Sequence, residues 1–301
     1  MRISTSNLFD TGIGRITDLQ SSMLKTQQQL STGLRVLTPA DDPVAASRAL
    51  DFTQSQAVNS QLATNRQNAA DSLNLVDSTL NSVTQVLQDA KDAVIQAGNG
   101  SLSDADRATI ANNLSSQLQE LVGLANSKDG TGQYLFSGYS TTTQPFTQTA
   151  TGATYSGDQG QRMLQVGTQR QLAVSENGQN LFQTGTAQDV FKNLTDAINL
   201  LKTPGTANLD AGLANTNNNI EAALNNVLTA RTKVGANLKE IDSLNSLGDD
   251  LNVQYQQSLS SLQDVDYAKA ISDLTQQQTT LQAAQQSFIK ITGLSLFSFL
   301  S

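Results

Sequence analysis

Between Leu62 and Ala97 the apolar residues fall at Leu62, Ala69, Leu73, Val76, Leu80, Val83, Leu87, Ala90, Val94 and Ala97, in steps of seven and then of four and three. Such steps average about 3.5 residues, the repeat of a helix wound against a partner. No proline interrupts the run, and the intervening positions are mostly Gln, Asn, Ser, Thr and Asp. A stripe that narrow predicts one long helix needing partners of similar length. Pro43 suits its first turn with Asp42 as cap, and Gly98-Asn99-Gly100 stops it. The helix therefore spans about residues 43 to 97, on the order of 80 Å.

The partners come from the rest of the chain. A first helix is predicted from about Asn7 to Leu37, with Phe9, Ile13, Ile16, Leu19, Met23, Leu30 and Leu34 inward and Thr26 in the remaining inward slot. Pro39 and Pro43 break the chain after it. Ser103-Asp104-Ala105-Asp106 is a capping arrangement for a third helix to about Ser127, with Ile110, Leu114, Leu118, Leu121 and Ala125 inward. After Thr186-Ala187-Gln188-Asp189, a short helix buries Val190, Phe191, Leu194, Ile198 and Leu201 and stops at Pro204-Gly205. A long return helix carries Leu213, Ile220, Leu224, Val227, Val234, Leu238 and Ile241. Its register slips at Leu244, and Leu247, Leu251, Tyr255, Leu259 and Leu262 carry it on. Gln263-Asp264-Val265-Asp266 reads as a joint. The last helix has Ile271, Leu274, Leu281, Ala284, Phe288 and Ile291 inward, Gln278 breaking the stripe, and Gly293 as its end.

From Gly130 to Leu181 the helical period disappears. Tyr134-Leu135-Phe136, Ala153-Thr154-Tyr155, Met163-Leu164-Gln165-Val166 and Leu172-Ala173-Val174 are short strand candidates between Gly or Asn turns. The Thr-rich run from Ser140 to Thr151 reads as a loose loop, with surface modification by sugars as the lesser alternative. The expected fold is mainly α: an elongated antiparallel helical bundle built from both chain ends, with a small β-rich insertion in the middle. Its expected parts are a terminal helical domain of residues 1–42 and 264–301, a long bundle of 43–129 and 182–263, and an inserted β domain of 130–181.

Composition narrows the function. The 301 residues are 38% hydrophobic and carry a net charge of −8, with no cluster of Lys and Arg for binding phosphates, so nucleic acid is not expected as a partner. The chain has no Cys, His or Trp, which removes thiol nucleophiles, His-based triads and the usual zinc sites. The apolar run near Leu294 to Leu300 is too short and too Ser-rich to span a bilayer, and the start has no apolar h-region. A soluble, uncleaved chain is expected, with no membrane insertion and no cofactor.

Several fragments of chemistry dissolve in context. Ser22-Met23-Leu24-Lys25 has the Ser-x-x-Lys spacing of penicillin-recognising enzymes, but lies on an amphipathic helix with no companion motif. Gly12-Ile13-Gly14 follows no strand, as a dinucleotide fingerprint requires. Asp41-Asp42, Asp249-Asp250 and Asp264 with Asp266 sit at helix ends or on solvated faces, where capping explains them. A hydrolase on a helical scaffold would need its site between Gly130 and Leu181, where no His or Cys stands.

The two ends carry motifs of a known family. Leu30-Ser31-Thr32-Gly33-Leu34-Arg35 followed by Ala40-Asp41-Asp42 resembles the N-terminal signature of bacterial flagellins, and Asn65-Arg66-Gln67-Asn68-Ala69-Ala70-Asp71 resembles the segment after it. Asp266-Tyr267-Ala268 with Leu274, Gln278 and Leu281-Gln282-Ala283 resembles their C-terminal block. The start Met1-Arg2-Ile3-Ser4, the Asp41-Asp42-Pro43 turn, Tyr134-Leu135-Phe136-Ser137-Gly138 and the short middle are most similar to members joining the flagellar hook to the filament. Asp89 departs from an Arg-containing stretch of many filament members and leans the same way; a filament subunit is the alternative.

The resemblance implies a structural protein without catalysis. It would leave through the flagellar export channel, be held beforehand by an export chaperone on its C-terminal helix, and assemble outside the cell. Its partners would be copies of itself, a neighbouring hook-associated protein and filament flagellin. The subunit-packing residues expected on the terminal helices are Ile16, Leu19, Met23, Leu30, Leu34, Ile271, Leu274, Leu281, Phe288 and Ile291.

Overall fold

The computed structural model describes residues 2–203, 205 and 208–300, with the side chains at 2–6, 8 and 292–300 left aside. Met1 and Pro204, used above as a start motif and a helix stop, lie outside the described residues. In order the chain forms α1 (Arg2–Thr32), α2 (Pro43–Ala97), α3 (Asp104–Ala125), β1 (Phe146–Thr149), β2 (Gly152–Tyr155), β3 (Met163–Gln165), β4 (Gln171–Ala173), α4 (Gly178–Phe182), α5 (Val190–Lys202), α6 (Leu209–Gln263) and α7 (Tyr267–Leu300). The class is the mainly helical one the periodicity requires, with two small antiparallel hairpins in the middle.

Helix ends follow local chemistry. Asp42 Oδ1 accepts the Ala45 N–H at 3.0 Å and starts α2. Ser103 and Asp106 exchange side-chain and backbone bonds as a capping box for α3. Asp189 Oδ1 accepts the N–H groups of Phe191 and Lys192 at the start of α5. Helix α1 ends at Thr32 and not at Leu37, because Gly33 turns left-handed at φ 73°. Gly293 does not end the last helix, which runs on to Leu300; one helical glycine costs only about 1 kcal/mol.

Two compact units make up the chain, one of residues 1–59 and 250–301, the other of residues 60–249; α2 and α6 contribute to both. In the 60–249 unit, α2 and α6 run antiparallel, linked by Asp77 with Arg231 at 3.1 Å and Lys91 with Glu221 at 3.3 Å. They share one apolar cluster with α3 and α5, in which Leu73, Leu80, Leu87, Leu114, Leu121, Leu194 and Ile220 are sealed from solvent. Of the stripe from Leu62 to Ala97, all but the half-buried Leu62 are buried. Leu247, expected inward on α6, is exposed, and the neighbouring Gly248 takes the buried slot.

The insertion differs from expectation in two places. Tyr134-Leu135-Phe136 forms no strand beyond one bridge from Tyr134 to Lys128. Its backbone bonds are spent on scattered partners: Tyr134 N–H on Thr141 O, Leu135 N–H on Ser127 O, and Phe136 O on Gly178 N–H and the Tyr155 hydroxyl. The Thr-rich run is not a loose loop throughout, since β1 pairs with β2 from Phe146 opposite Tyr155 to Thr149 opposite Gly152. Phe146 anchors it among Phe182 and Phe191, with ring centroids 5.2 and 5.1 Å away. Gly152, at φ 135°, brings β2 so close to α5 that a Cβ there would stand 2.8 Å from Lys192 N.

The hairpin β3–β4 is tied down by polar groups. Asn65 donates to Gln165 O at 2.9 Å, the buried Arg66 donates to Val166 O at 3.2 Å and to Asn245 Oδ1 at 2.6 Å, and Arg170 grips both oxygens of Glu240. Burial pushes the Arg66 guanidinium below its usual range, partly offset by Asp249.

In the unit of residues 1–59 and 250–301, α1 lies antiparallel to α7, with Phe9 edge-on to Phe288 at 5.1 Å and Gln277 donating to Ser22 Oγ at 3.1 Å. The start of α2 meets the end of α6 through Phe52 with Tyr255 and Gln56 with Asn252. Among the described residues its buried apolar side chains are only Val36, Ala45, Ala49 and Ala270.

Candidate functional site

The terminal pair α1–α7 and its joint are the part of the molecule whose sequence pattern is least satisfied by the fold. Ile16, Leu19, Met23 and Leu30 on α1 and Leu34 just past its end are half-buried, as are Leu274, Leu281 and Phe288 on α7. Ile271 and Ile291 stay 55% and 52% exposed, and Ile13 also points outward. Among the described residues the fully covered positions of the seam are Thr26 and Ala270. Thr26 returns its hydroxyl to Ser22 O, one turn back. The inward row on α7 is thus Ala270, Leu274, Gln277, Leu281, Ala284 and Phe288, so Gln277, and not Gln278, fills the polar slot. Counting back from Leu274 by four selects Ala270 over Ile271; hydrophobicity alone favoured the larger neighbour.

Gly12 shapes the far part of the seam. A Cβ there would stand 2.8 Å from the Phe288 ring, so the ring lies against bare backbone. Beside it a groove of about 190 Å³ opens between Phe9, Ile16, Ala284 and Ile291.

The joint is built from backbone and a few charged side chains. Gly33 O accepts the Val265 N–H at 2.9 Å and Arg35 N–H donates to Gln263 O at 2.6 Å, a one-residue antiparallel bridge of Leu34 with Asp264. The Arg35 guanidinium donates to Leu262 O at 2.7 Å, satisfying a carbonyl at the end of α6, and to Asp42 Oδ2 at 3.2 Å. Gln29 donates to Arg35 O at 2.6 Å. Asp41 Oδ2 collects the N–H groups of Leu37 and Thr38 and the Thr38 hydroxyl, while Lys25 Nζ lies 2.5 Å from its other oxygen. The Lys25 bond, then the Thr38 N–H, hold the Asp41 carboxyl down at about 2. Asp42 is lowered first by the Ala45 N–H and then by Arg35.

Arg35 is the residue that pattern reading left without a role. A single arginine just past a glycine helix stop, with an acidic pair following, was the available signal. What the site offers is apolar surface and a latch of hydrogen bonds; its carboxylates Asp41 and Asp42 are already engaged by Lys25, Arg35 and backbone donors.

Comparison with known proteins places this arrangement. The N-terminal helical region of bacterial flagellins matches residues 3–141, and their C-terminal helical region matches residues 218–300. This chain belongs to the bacterial flagellin family. Flagellar hook-associated protein 3 of Salmonella typhimurium is 39% identical over 99% of both chains. The flagellin of Bacillus subtilis is 26% identical over 95% of this chain and 94% of its own. A putative flagellar hook-associated protein from Vibrio parahaemolyticus shares the fold, with a TM-score of 0.70, 23% identity, and coverage of 74% of this chain and all of that one.

The flagellin signature blocks now acquire a physical meaning. Leu30 to Arg35, Asp41, Asp42 and Asp266 to Ala268 come from opposite ends of the chain and converge on one joint. A Cβ on Gly33 would lie 3.0 Å from the Tyr267 hydroxyl. The segment from Asn65 to Asp71 carries Arg66, which ties the β3–β4 hairpin to α2 and α6. No helix among the described residues is long and apolar enough to cross a membrane.

Proposed function

We propose that this flagellin-family chain is a structural part of the bacterial flagellum, of the hook-associated kind, which joins the hook to the filament and catalyses nothing. The observation that carries the reading is the 39% identity along the whole chain to a flagellar hook-associated protein 3, against 26% to a filament flagellin. In this reading the chain is exported through the flagellar channel and works outside the cell. Its neighbours are further copies, another hook-associated protein and filament flagellin, and an export chaperone holds α7 before secretion.

The working division assigns residues 1–42 and 264–301 to polymerisation, 43–129 and 182–263 to the bundle, and 130–181 to an inserted part. Half-buried seam residues such as Leu19, Met23, Leu274 and Leu281 would then be completed by neighbouring copies. Ordering backbone costs about 1–2 kcal/mol per residue, and a seam whose covered positions among the described residues are Thr26 and Ala270 offsets little of it. In the isolated chain residues 1–42 and 264–301 are therefore expected to exchange their amides freely and to become protected on assembly. Strong protection of both segments in the monomer would contradict this.

Deleting the gene tests the assignment. Electron micrographs of the deletion strain should show bare hooks with filament subunits lost to the medium. Hooks still bearing filament would favour a filament subunit instead.

A further inference from the structure

Between Val44 and Val58 helix α2 carries apolar residues on two opposite faces. Ala45, Ala49, Phe52 and Gln56 lie on the face that meets α6, through Tyr255 and Asn252. The opposite face carries Val44, Leu50, Ala57 and Val58, all exposed, Leu50 at 69%, with Ser47, Asp51 and Gln54 among them. Beyond Val58 the same positions become Gln61, Asn65, Asn68 and Ser72, and on the end of α6 the exposed residues from Asp250 on are Asp250, Gln254, Gln256, Gln257, Ser260 and Ser261, with Val253 the apolar exception. An uncovered strip with apolar side chains thus begins and ends within one stretch of one helix, in a unit whose buried apolar side chains, among its described residues, are one valine and three alanines.

The strip's size decides what can cover it. At 1.5 Å per residue and a helix width of about 10 Å it offers roughly 200 Å², far below the roughly 800 Å² per partner of a stable one-to-one complex. A foreign protein would not be held by it. Copies that repeat the contact in an ordered array would be, because each contact is reinforced by the others. The chain itself presents aliphatic side chains to fit it, since Ile13 and Leu24 on α1 and Ile271 on α7 are more than half exposed. The end of α6 has no matching apolar face, so the strip meets an unlike surface, the head-to-tail kind of contact that builds rings and helical tubes.

We infer that the outer face of α2 from Val44 to Val58 docks a terminal helix of a second copy of this chain. The inference rests on the assembly role proposed above and names one of its surfaces.

The test uses the full chain in the deletion strain. A photocrosslinking phenylalanine in place of Leu50 should, on irradiation of isolated hooks, yield a crosslink whose mass spectrum maps to α1 or α7 of another copy; the same group in place of Gln257 should yield none. Leu50→Asp, whose exposed position leaves folding of the soluble chain unchanged by circular dichroism, should lower filament retention about tenfold or more, because docking would bury an unpaired charge. A crosslink only to a different protein, no crosslink, or full retention with Leu50→Asp would overturn the inference. If the wild-type gene itself fails to restore filament retention, it is the junction role that fails.

Discussion

The unit of residues 60–249 seals Phe136, Phe146, Phe182, Phe191 and a column of leucines from solvent, whereas in the unit of residues 1–59 and 250–301 the buried apolar residues among those described are one valine and three alanines. Both use the same helices α2 and α6 with much the same polar composition. The difference lies in coverage. Where α3 and α5 join them, the stripe on α2 widens to include the buried Val86 and Ala93. Where α1 and α7 have chiefly each other, side chains of the same types remain half open. Heptad spacing specifies a helix that wants a partner; the number of partners sets how much burial results.

The largest effect expected from this contrast is in the aromatic cluster. Phe146→Ala removes a sealed ring that touches Phe182 and Phe191 and should cost about 3–5 kcal/mol, read as a fall in the urea midpoint of the main unfolding transition. A loss below about 1 kcal/mol would mean that the cluster does not hold the unit together. Arg66→Ala should cost about 1–3 kcal/mol, since Val166 O and Asn245 Oδ1 lose their buried donor. The same variant should raise hydrogen exchange in the β3–β4 hairpin before exchange rises in α3.

In the other unit the same kind of truncation should do little. Leu281→Ala, at a half-buried position, should shift the main transition by roughly 1 kcal/mol or less, yet reduce assembly. If it destabilised the isolated chain as much as Phe146→Ala, the two units would not differ as argued.

The smallest expected effect is local and depends on pH. The Asp41 carboxyl titrates at about 2 in the folded joint against its ordinary 3.8. Its stabilisation is therefore fully present above the ordinary value and is lost as pH falls through about 2. Once assembly has ordered the joint, the Leu37 and Thr38 amides, which donate to Asp41, should lose protection across that window. Asp41→Asn should make their exchange fast already at neutral pH and flatten the dependence; an unchanged profile would remove Asp41 from the latch.

Much of the fold was legible in the residues. The bounds of α2, the caps Asp42, Ser103 and Asp189, the joint after Gln263 and the buried column from Ala69 to Ala97 all follow from local signals that few residues specify. The residues wrongly placed inward share one cause. Ile13, Leu247 and Ile271 were placed inward because they are apolar, while Gly12, Gly248 and Ala270 hold the slots beside them. A strand was expected at Leu135 and Phe136, whose backbone bonds instead go to scattered partners.

What the sequence by itself determined is therefore the set of helices, most of their ends and the family, because capping, proline and glycine geometry and the 3.5-residue period act within a few turns of chain. Only the tertiary structure decided which of two adjacent positions faces inward, that Arg35 clasps Leu262 and Asp42, and that one unit is sealed while the other is left open. Those outcomes depend on what lies across the interface, and a residue's own neighbours in the chain do not encode it.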